Sequence, residues 1–143
     1  MEIGLVYATK TNHSKMIAES IAAALKIEAK NAAQHPDYEN LDLLFLVGGI
    51  YGKKSLPEMM YFVNMLNPGK VKKVALITSC VSKKMYQEDV RKQLTENGVK
   101  IADEFMCQGS FLCFGLGHPD KKEIEDAVAF AKSTISKSSA QSH

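Results

Sequence analysis

The chain has 143 residues, of which 45% are hydrophobic and 24% are charged, and its net charge is +2. These values are typical of one globular domain and argue against a disordered chain, and so small a net charge gives no reason to expect nucleic-acid binding. The longest apolar runs have the length of strands, and no charged amino-terminal region precedes an apolar one. We therefore expect no signal peptide, no transmembrane span and a cytoplasmic protein.

The first residues predict a strand, a hydroxyl-rich loop and a helix in direct succession. The strand is predicted over Ile3–Tyr7 and the helix over Ser14–Leu25, and Thr9, Thr11 and Ser14 supply three hydroxyls. Because the first N–H groups of a helix have no intrahelical partner and the helix dipole is positive there, such a loop attracts an anion. The loop lacks the glycine patterns of nucleotide triphosphatases and of dinucleotide-binding turns. It predicts a site for a single terminal phosphate, and the alternative is a simple helix cap by Thr11 or Ser14.

This loop resembles the flavodoxin loop that holds the 5′-phosphate of FMN. The matching residues are Thr9, Lys10, Thr11, Asn12, His13 and Ser14. Asn12 stands where the family usually has glycine, and Asn is the residue next best suited to a left-handed turn. The resemblance covers nearly the whole chain and implies FMN as the cofactor.

Strands and helices continue to alternate along the rest of the chain. Further strands are predicted at Lys26–Asn31, Leu43–Gly48, Val71–Ser79 and Val99–Cys107, and further helices at Pro57–Leu66, Lys84–Glu96 and from Asp120 onward. Asp37–Leu41 is predicted to be a turn. Residues Ser133–His143 are polar and rich in serine, so we expect a frayed end. The sequence thus predicts a single flavodoxin-like domain over residues 1–135 and a polar tail over residues 136–143.

Nearly continuous apolar strands that alternate with helices predict a parallel sheet covered on both faces. Five such strands fit the flavodoxin-like fold, a doubly wound α/β three-layer sandwich with strand order 2-1-3-4-5. In sheets of this kind ligands bind at the carboxyl ends of the strands, beside the switch point between the first and third strands. We therefore expect the loops after the first, third and fourth strands to meet at one site.

The loop after the third strand is rich in glycine, which lets backbone approach a ligand closely. In flavodoxins the equivalent loop packs an aromatic residue or Met against the isoalloxazine ring, and a Gly-x peptide faces flavin N5. The matching positions are Tyr51, whose stacking would contribute about 1 kcal/mol, and the peptide between Gly52 and Lys53. The cofactor contacts predicted in this loop are Gly49, Ile50, Tyr51, Gly52 and Lys53. The alternative is a plain turn with a solvent-facing Tyr51.

The loop after the fourth strand departs from the family. Flavodoxins have Gly, Asp and an aromatic residue there, whereas the run from Thr78 to Tyr86 has no acid and no early aromatic residue. The contacts predicted here are Ser79, Cys80, Val81, Ser82 and Tyr86, with Tyr86 as the candidate for the outer flavin face. We expect the site to be ringed by Lys53, Lys54, Lys83 and Lys84, unless these lysines form only a solvated face.

The sequence lacks the residues that two other protein classes with this topology require. A response-regulator receiver needs acidic residues where the first and third strands end, and this chain has tyrosine, alanine and glycine there. A cysteine phosphatase needs Arg at the sixth position after its Cys, and none of Cys80, Cys107 and Cys113 has one. These cysteines also form no CxxC pair and no metal-binding spacing, so we expect reduced thiols and no metal site.

The resemblance implies an FMN-binding electron carrier that exchanges electrons with redox partner proteins. Its alternative is a small FMN-dependent reductase that passes electrons or hydride to a bound organic substrate. A flavodoxin-like interaction module without a cofactor is a third possibility, which the intact hydroxyl loop disfavours. No catalytic residue is predicted, because the chemistry belongs to the cofactor. The lysines favour an acidic partner or a carboxylated substrate.

Overall fold

Five parallel strands and four helices make up the part of the chain that the structure, a computed structural model, describes: residues 1–10, 12–49, 54–79, 87–106 and 121–141. The strands are β1 (Ile3–Ala8), β2 (Ala29–Asn31), β3 (Leu41–Gly49), β4 (Val71–Ser79) and β5 (Lys100–Met106). The helices are α1 (Asn12–Leu25), α2 (Pro57–Asn64), α3 (Glu88–Glu96) and α4 (Lys121–Gln141), and a short 3₁₀ turn covers Ala32–Gln34.

The strands form one sheet in the order β2-β1-β3-β4-β5, and every neighbouring pair is parallel. This confirms the predicted order 2-1-3-4-5. The chain starts in the middle of the sheet, winds outward to β2, and then returns across β1 to build the other half. The switch point therefore lies between β1 and β3, where two neighbouring strands are followed by connections on opposite faces.

Each face of the sheet is covered by two helices, and each pair buries its own apolar cluster. On one face Leu46 packs with Met59 of α2 and Leu94 of α3. On the other face Phe45 packs with Ile17 of α1 and with residues of α4. Neighbouring strand residues point to opposite faces because of the pleat. Each of these five side chains is at most 1% exposed, and burial of such a side chain contributes about 1.5–3 kcal/mol.

Two boundaries differ from the prediction around α2 and β3. Helix α2 ends at Asn64 rather than Leu66, because the Asn97 side-chain amide donates to the carbonyls of Val63 (3.1 Å) and Leu66 (3.0 Å) and so satisfies the end of the helix. Strand β3 begins at Leu41, inside the predicted turn, because its N–H donates to the carbonyl of Lys70 at 2.9 Å and extends the β3–β4 ladder.

The starts of β2 and α3, in contrast, are later than predicted. Lys26, directly after α1, has a left-handed backbone conformation with φ 59°, which ends the helix. Strand β2 therefore starts only at Ala29. Helix α3 starts at Glu88 instead of Lys84, and Gln87 at its N-cap has a non-helical backbone. Strand β5 covers Lys100–Met106, close to the predicted range.

The last helix is longer than the sequence predicts. Helix α4 is continuous across residue 135 and runs to Gln141, so the frayed end predicted from Ser133 is wrong up to that residue. Thr134 and Ser138 continue the buried stripe of Ala127 and Ala131 at helical spacing, and the Thr134 hydroxyl donates to the carbonyl of Phe130 at 2.9 Å. No helix in the described ranges is long and apolar enough to cross a membrane.

Candidate cofactor site

Three neighbouring strands end in register at one edge of the sheet. Ala8 of β1 pairs with Gly48 of β3, and Gly48 pairs with Thr78 of β4. Because adjacent strands lie about 4.8 Å apart, the three loops that follow these strands begin within roughly 10 Å of one another. The sheet thus brings the starts of the three predicted loops together, although about 70 residues separate the first loop from the third.

The first loop leads into the amino-terminal end of α1. Thr9 is half-buried, Lys10 is exposed, and the helix begins at Asn12. The interpretation of Asn12 as a left-handed turn residue is wrong, because Asn12 already has helical backbone. Ser14 lies in the first turn and is 1% exposed, and no acidic residue stands in that turn. No carboxylate in the first turn of α1 therefore offsets the positive partial charge at this helix end. Thr11 and the side chains of Asn12 and His13 lie outside the described residues.

The second loop begins at a glycine that close packing requires. A Cβ atom on Gly48 would lie 3.1 Å from Oε1 of Gln87, which is closer than ordinary van der Waals contact. Gly49 ends β3, and the described chain resumes with the exposed Lys54 and the buried Ser55. Ile50, Tyr51, Gly52 and Lys53 lie outside the described residues, so their predicted contacts stay predictions.

The third loop is bounded by buried polar side chains. Ser79 ends β4, and the Gln87 side-chain amide donates to the carbonyl of Ile77 at 3.1 Å. Thr78 and Gln87 are both 0% exposed, and within the described chain Thr78 Oγ1 and Gln87 Oε1 have no hydrogen-bond partner. Two such atoms are costly in a core and are expected beside a polar site. Cys80, Val81, Ser82, Tyr86 and the lysines Lys83 and Lys84 lie outside the described residues, as do the other cysteines.

A carboxylate joins the far ends of the second and third loops. The Asp89 side chain accepts hydrogen bonds from the Ser55 N–H at 2.8 Å and from the Ser55 hydroxyl at 2.8 Å. Neither residue is among the contacts predicted from the sequence. Ser55 stands just before Pro57, a signal for a helix start, but nothing in the sequence connects it to an acid 34 residues away.

A cavity lies away from these strand ends. It has a volume of about 280 Å³ and is lined by residues that include Tyr38, Tyr61, Met65 and Lys70. Tyr38 precedes β3 and Lys70 precedes β4, so this cavity lies toward the amino-terminal edge of the sheet.

Among the described residues no group of three or more His, Cys, Asp or Glu side chains could hold a metal ion.

Comparison with known proteins gives matches to one family and to several solved structures. The family model of the flavodoxin domain matches residues 5–134. The fold is similar to that of oxidised flavodoxin 2 from Bacillus cereus, with 19% identity, a TM-score of 0.62, and coverage of 96% of this chain and 99% of that one. A comparison with curated proteins finds no significant match.

Two other solved structures have the same fold at lower identity. Rubredoxin oxygen:oxidoreductase from the anaerobe Desulfovibrio gigas has 9% identity and a TM-score of 0.69, and the match covers 97% of this chain but 36% of that chain. A flavoprotein in complex with FMN from Lactobacillus acidophilus has 11% identity and a TM-score of 0.53, with coverage of 73% and 92%. Identities this low establish the fold alone, whereas the family model spans nearly the whole sheet and its helices. The chain belongs to the flavodoxin family.

Proposed function

We propose that this chain binds one FMN and carries electrons between redox partner proteins. The observation that supports this most is the register of β1, β3 and β4, which brings the starts of three loops to one edge of the sheet. The first of these loops has the hydroxyl pattern of a flavodoxin phosphate loop. Membership of the flavodoxin family agrees with FMN as the cofactor.

The described residues of the first loop fit a phosphate group. A helix of 14 residues starts directly after the loop, and its first turn contains no acid. The N–H groups at such a helix start bind anions through their unpaired donors and the helix dipole. We propose that Thr9, Thr11 and Ser14 add hydroxyl donors and that the backbone of Asn12 and His13 completes the phosphate site.

The second and third loops are proposed to hold the flavin ring. FMN supplies the electron chemistry when it is bound, and the protein contributes binding, orientation and charge. The proposed contacts are Gly49, Ile50, Tyr51, Gly52 and Lys53 on the second loop and Ser79, Cys80, Val81, Ser82 and Tyr86 on the third. Thr78 and Gln87 lie at the base of these loops, and their side-chain oxygens have no hydrogen-bond partner among the described residues. A polar group bound nearby can satisfy them.

The lysines at the site favour particular partners. Lys54 is exposed at the end of the second loop. Lys53 precedes it in the same loop, and Lys83 and Lys84 belong to the third loop. Positive charge of this kind steers acidic partners toward the flavin. We therefore propose an acidic protein partner or a carboxylated substrate. We also propose a reducing compartment such as the cytoplasm, because the three cysteines form no pairing pattern.

The third loop also supports a second candidate function. Its run from Thr78 to Tyr86 lacks the acid and the early aromatic residue of flavodoxins. A different loop over the flavin suits a small reductase, in which the loop forms one wall of a substrate pocket. The bound flavin would then pass electrons or hydride to an organic molecule instead of a protein.

Spectroscopy and electron transfer separate these functions. Titration of the apoprotein with FMN should produce a shifted visible flavin spectrum that saturates at one FMN per chain. The loaded protein is then reduced anaerobically and mixed with rubredoxin, an acidic one-electron carrier protein, or with menadione. Faster transfer to rubredoxin supports the carrier, and faster transfer to menadione supports the reductase. A spectrum that stays that of free FMN would contradict both and leave an interaction module.

A further inference from the structure

We infer that Asp89 is a positioning residue of the cofactor site, which fixes the distance between the second and third loops. Asp89 lies in the first turn of α3, directly after the third loop, and its partner Ser55 directly follows the second loop. The inference rests on the proposed function, because it assigns the two loops to the flavin ring. It adds a residue that flanks the loops and lies outside the predicted contacts.

The contact between Asp89 and Ser55 is geometrically restrictive. Oδ2 accepts the Ser55 N–H at 2.8 Å, and Oδ1 accepts both the Ser55 hydroxyl at 2.8 Å and the Val90 N–H at 2.9 Å. Two charge-assisted hydrogen bonds between one carboxylate and one residue fix the orientation as well as the distance. Ser55 is only 7% exposed, so water competes weakly for these bonds.

The contact joins two helix starts that lack side-chain caps of their own. Leu56 is the N-cap of α2 and Gln87 is the N-cap of α3, and neither makes a side-chain capping bond. The negative charge of Asp89 is favourable at the positive end of α3. Both helices start at the carboxyl edge of the sheet, so this one carboxylate sets how the two helix starts lie relative to each other.

The Gln87 side chain attaches the start of α3 to the sheet. Its side-chain amide donates to the carbonyl of Ile77 in β4 at 3.1 Å, and the residue is completely buried. The start of α3 is therefore fixed to β4, and Asp89 extends that attachment to Ser55. The second loop is consequently anchored at both ends, by its pairing in β3 and by Asp89, and the third loop by β4 and Gln87. Flavin binding between loops with fixed ends loses less conformational entropy on binding.

Three variants separate positioning from simple helix stabilisation. Asp89→Ala removes both bonds to Ser55. Asp89→Asn removes the charge but can still bond both groups of Ser55, because the amide oxygen accepts from the N–H and the NH2 group donates to the hydroxyl oxygen; it loses only the bond from the Val90 N–H. Glu88→Ala is the matched control, because Glu88 carries the same charge in the same helical turn but is exposed.

The readouts are amide exchange at Ser55 in the apoprotein and the dissociation constants of FMN and riboflavin. In Asp89→Ala we expect Ser55 to exchange at least tenfold faster. Both flavins should bind about tenfold more weakly and by the same factor, because the loops contact the ring that the two ligands share. Asp89→Asn should stay within about threefold of the wild type, and Glu88→Ala should match it.

Each outcome decides the inference. If Asp89→Ala is folded and binds both flavins with wild-type affinity, Asp89 only stabilises the helix start and the inference is overturned. A loss of FMN affinity without a loss of riboflavin affinity would also overturn it, since the effect would then act on the phosphate. If Asp89→Ala does not fold, Ser55→Ala removes one of the two bonds, and unchanged affinity in that variant contradicts the inference. Wild-type protein that binds no flavin would refute the proposed function itself.

Discussion

Gly48 shows how a single residue is constrained at the base of the site. A Cβ atom on it would lie 3.1 Å from Oε1 of Gln87, whose amide nitrogen donates to the carbonyl of Ile77. The buried side chain of Gln87 therefore crosses from the start of α3 to the ends of β3 and β4. Any side chain at position 48 has to displace an amide that the sheet holds in place.

We predict that Gly48→Ala lowers the free energy of unfolding by about 1–3 kcal/mol, the usual cost of overpacking a buried position. The same substitution in a Gln87→Ala background should cost clearly less, because the atom it meets is then absent. Urea denaturation of the four proteins of this cycle measures both costs. Equal costs in the two backgrounds would show that the contact with Gln87 does not explain the glycine.

Among the elements, Asp42 joins the starts of three strands. Its carboxylate accepts the Glu2 N–H at 2.8 Å, at the entrance to β1, and the Lys72 ammonium at 3.2 Å, in β4. These two interactions, the Glu2 hydrogen bond first, hold the pKa of Asp42 below its ordinary value of 3.8. A carboxylate with a lowered folded-state pKa stabilises the fold above its ordinary pKa, and this stabilisation is lost as the pH falls through the lower value.

The expected result is a shallower acid dependence in Asp42→Asn. Below pH 3.8 the free energy of unfolding of the wild type should fall more steeply than that of the variant, because only the wild type takes up a proton at this site on unfolding. Asp126→Asn is the control, since among the described residues Asp126 forms an ion pair with Lys122, one turn away on the same helix. Denaturation midpoints between pH 2 and pH 6 test this, and parallel curves for wild type and Asp42→Asn would contradict it.

The elements also show what the sequence could and could not predict. The parallel strands followed from apolar runs such as Leu43–Gly48, because a strand buried on both faces leaves a clear sequence signal, whereas their order followed from the resemblance to flavodoxins. The end of α2 did not, since it depends on the Asn97 amide from another helix. The helical course of residues 133–141 was missed because a serine-rich segment is typical of a polar tail, and the burial of Thr134 and Ser138 is known only from the structure. In the site, the hydroxyl loop was visible in one segment, whereas Ser55 and Asp89 are joined only by the fold.

The whole molecule has a small net charge of +2, and lysines are predicted to ring its cofactor site. Lys54 is exposed there, and Lys53 neighbours it in the second loop. A unit charge several ångströms from a partly solvated anion changes its energy by about 1 kcal/mol at the effective dielectric of a protein surface, and less as salt screens it. These lysines should therefore favour electron uptake by the bound flavin.

We expect the double variant Lys53→Gln, Lys54→Gln to make the reduction potential of bound FMN more negative by some tens of millivolts, since about 1.4 kcal/mol corresponds to 59 mV for one electron. The shift should shrink at high salt. A matched control is Lys26→Gln, Lys100→Gln, which removes two exposed lysines that follow α1 and begin β5 at the opposite edge. If both double variants keep the wild-type potential, the lysines at the site are only a solvated face.

The most direct test of the phosphate site is the comparison of FMN with riboflavin, which lacks the phosphate. We expect FMN to bind at least tenfold more tightly. Thr11→Ala and Ser14→Ala should each weaken FMN binding by about 1–3 kcal/mol, the worth of a hydrogen bond to a charged group, with little effect on riboflavin. Ser20→Ala, which removes a hydroxyl bonded to the Met16 carbonyl farther along α1, serves as control. Equal affinities of the wild type for FMN and riboflavin would contradict the phosphate site.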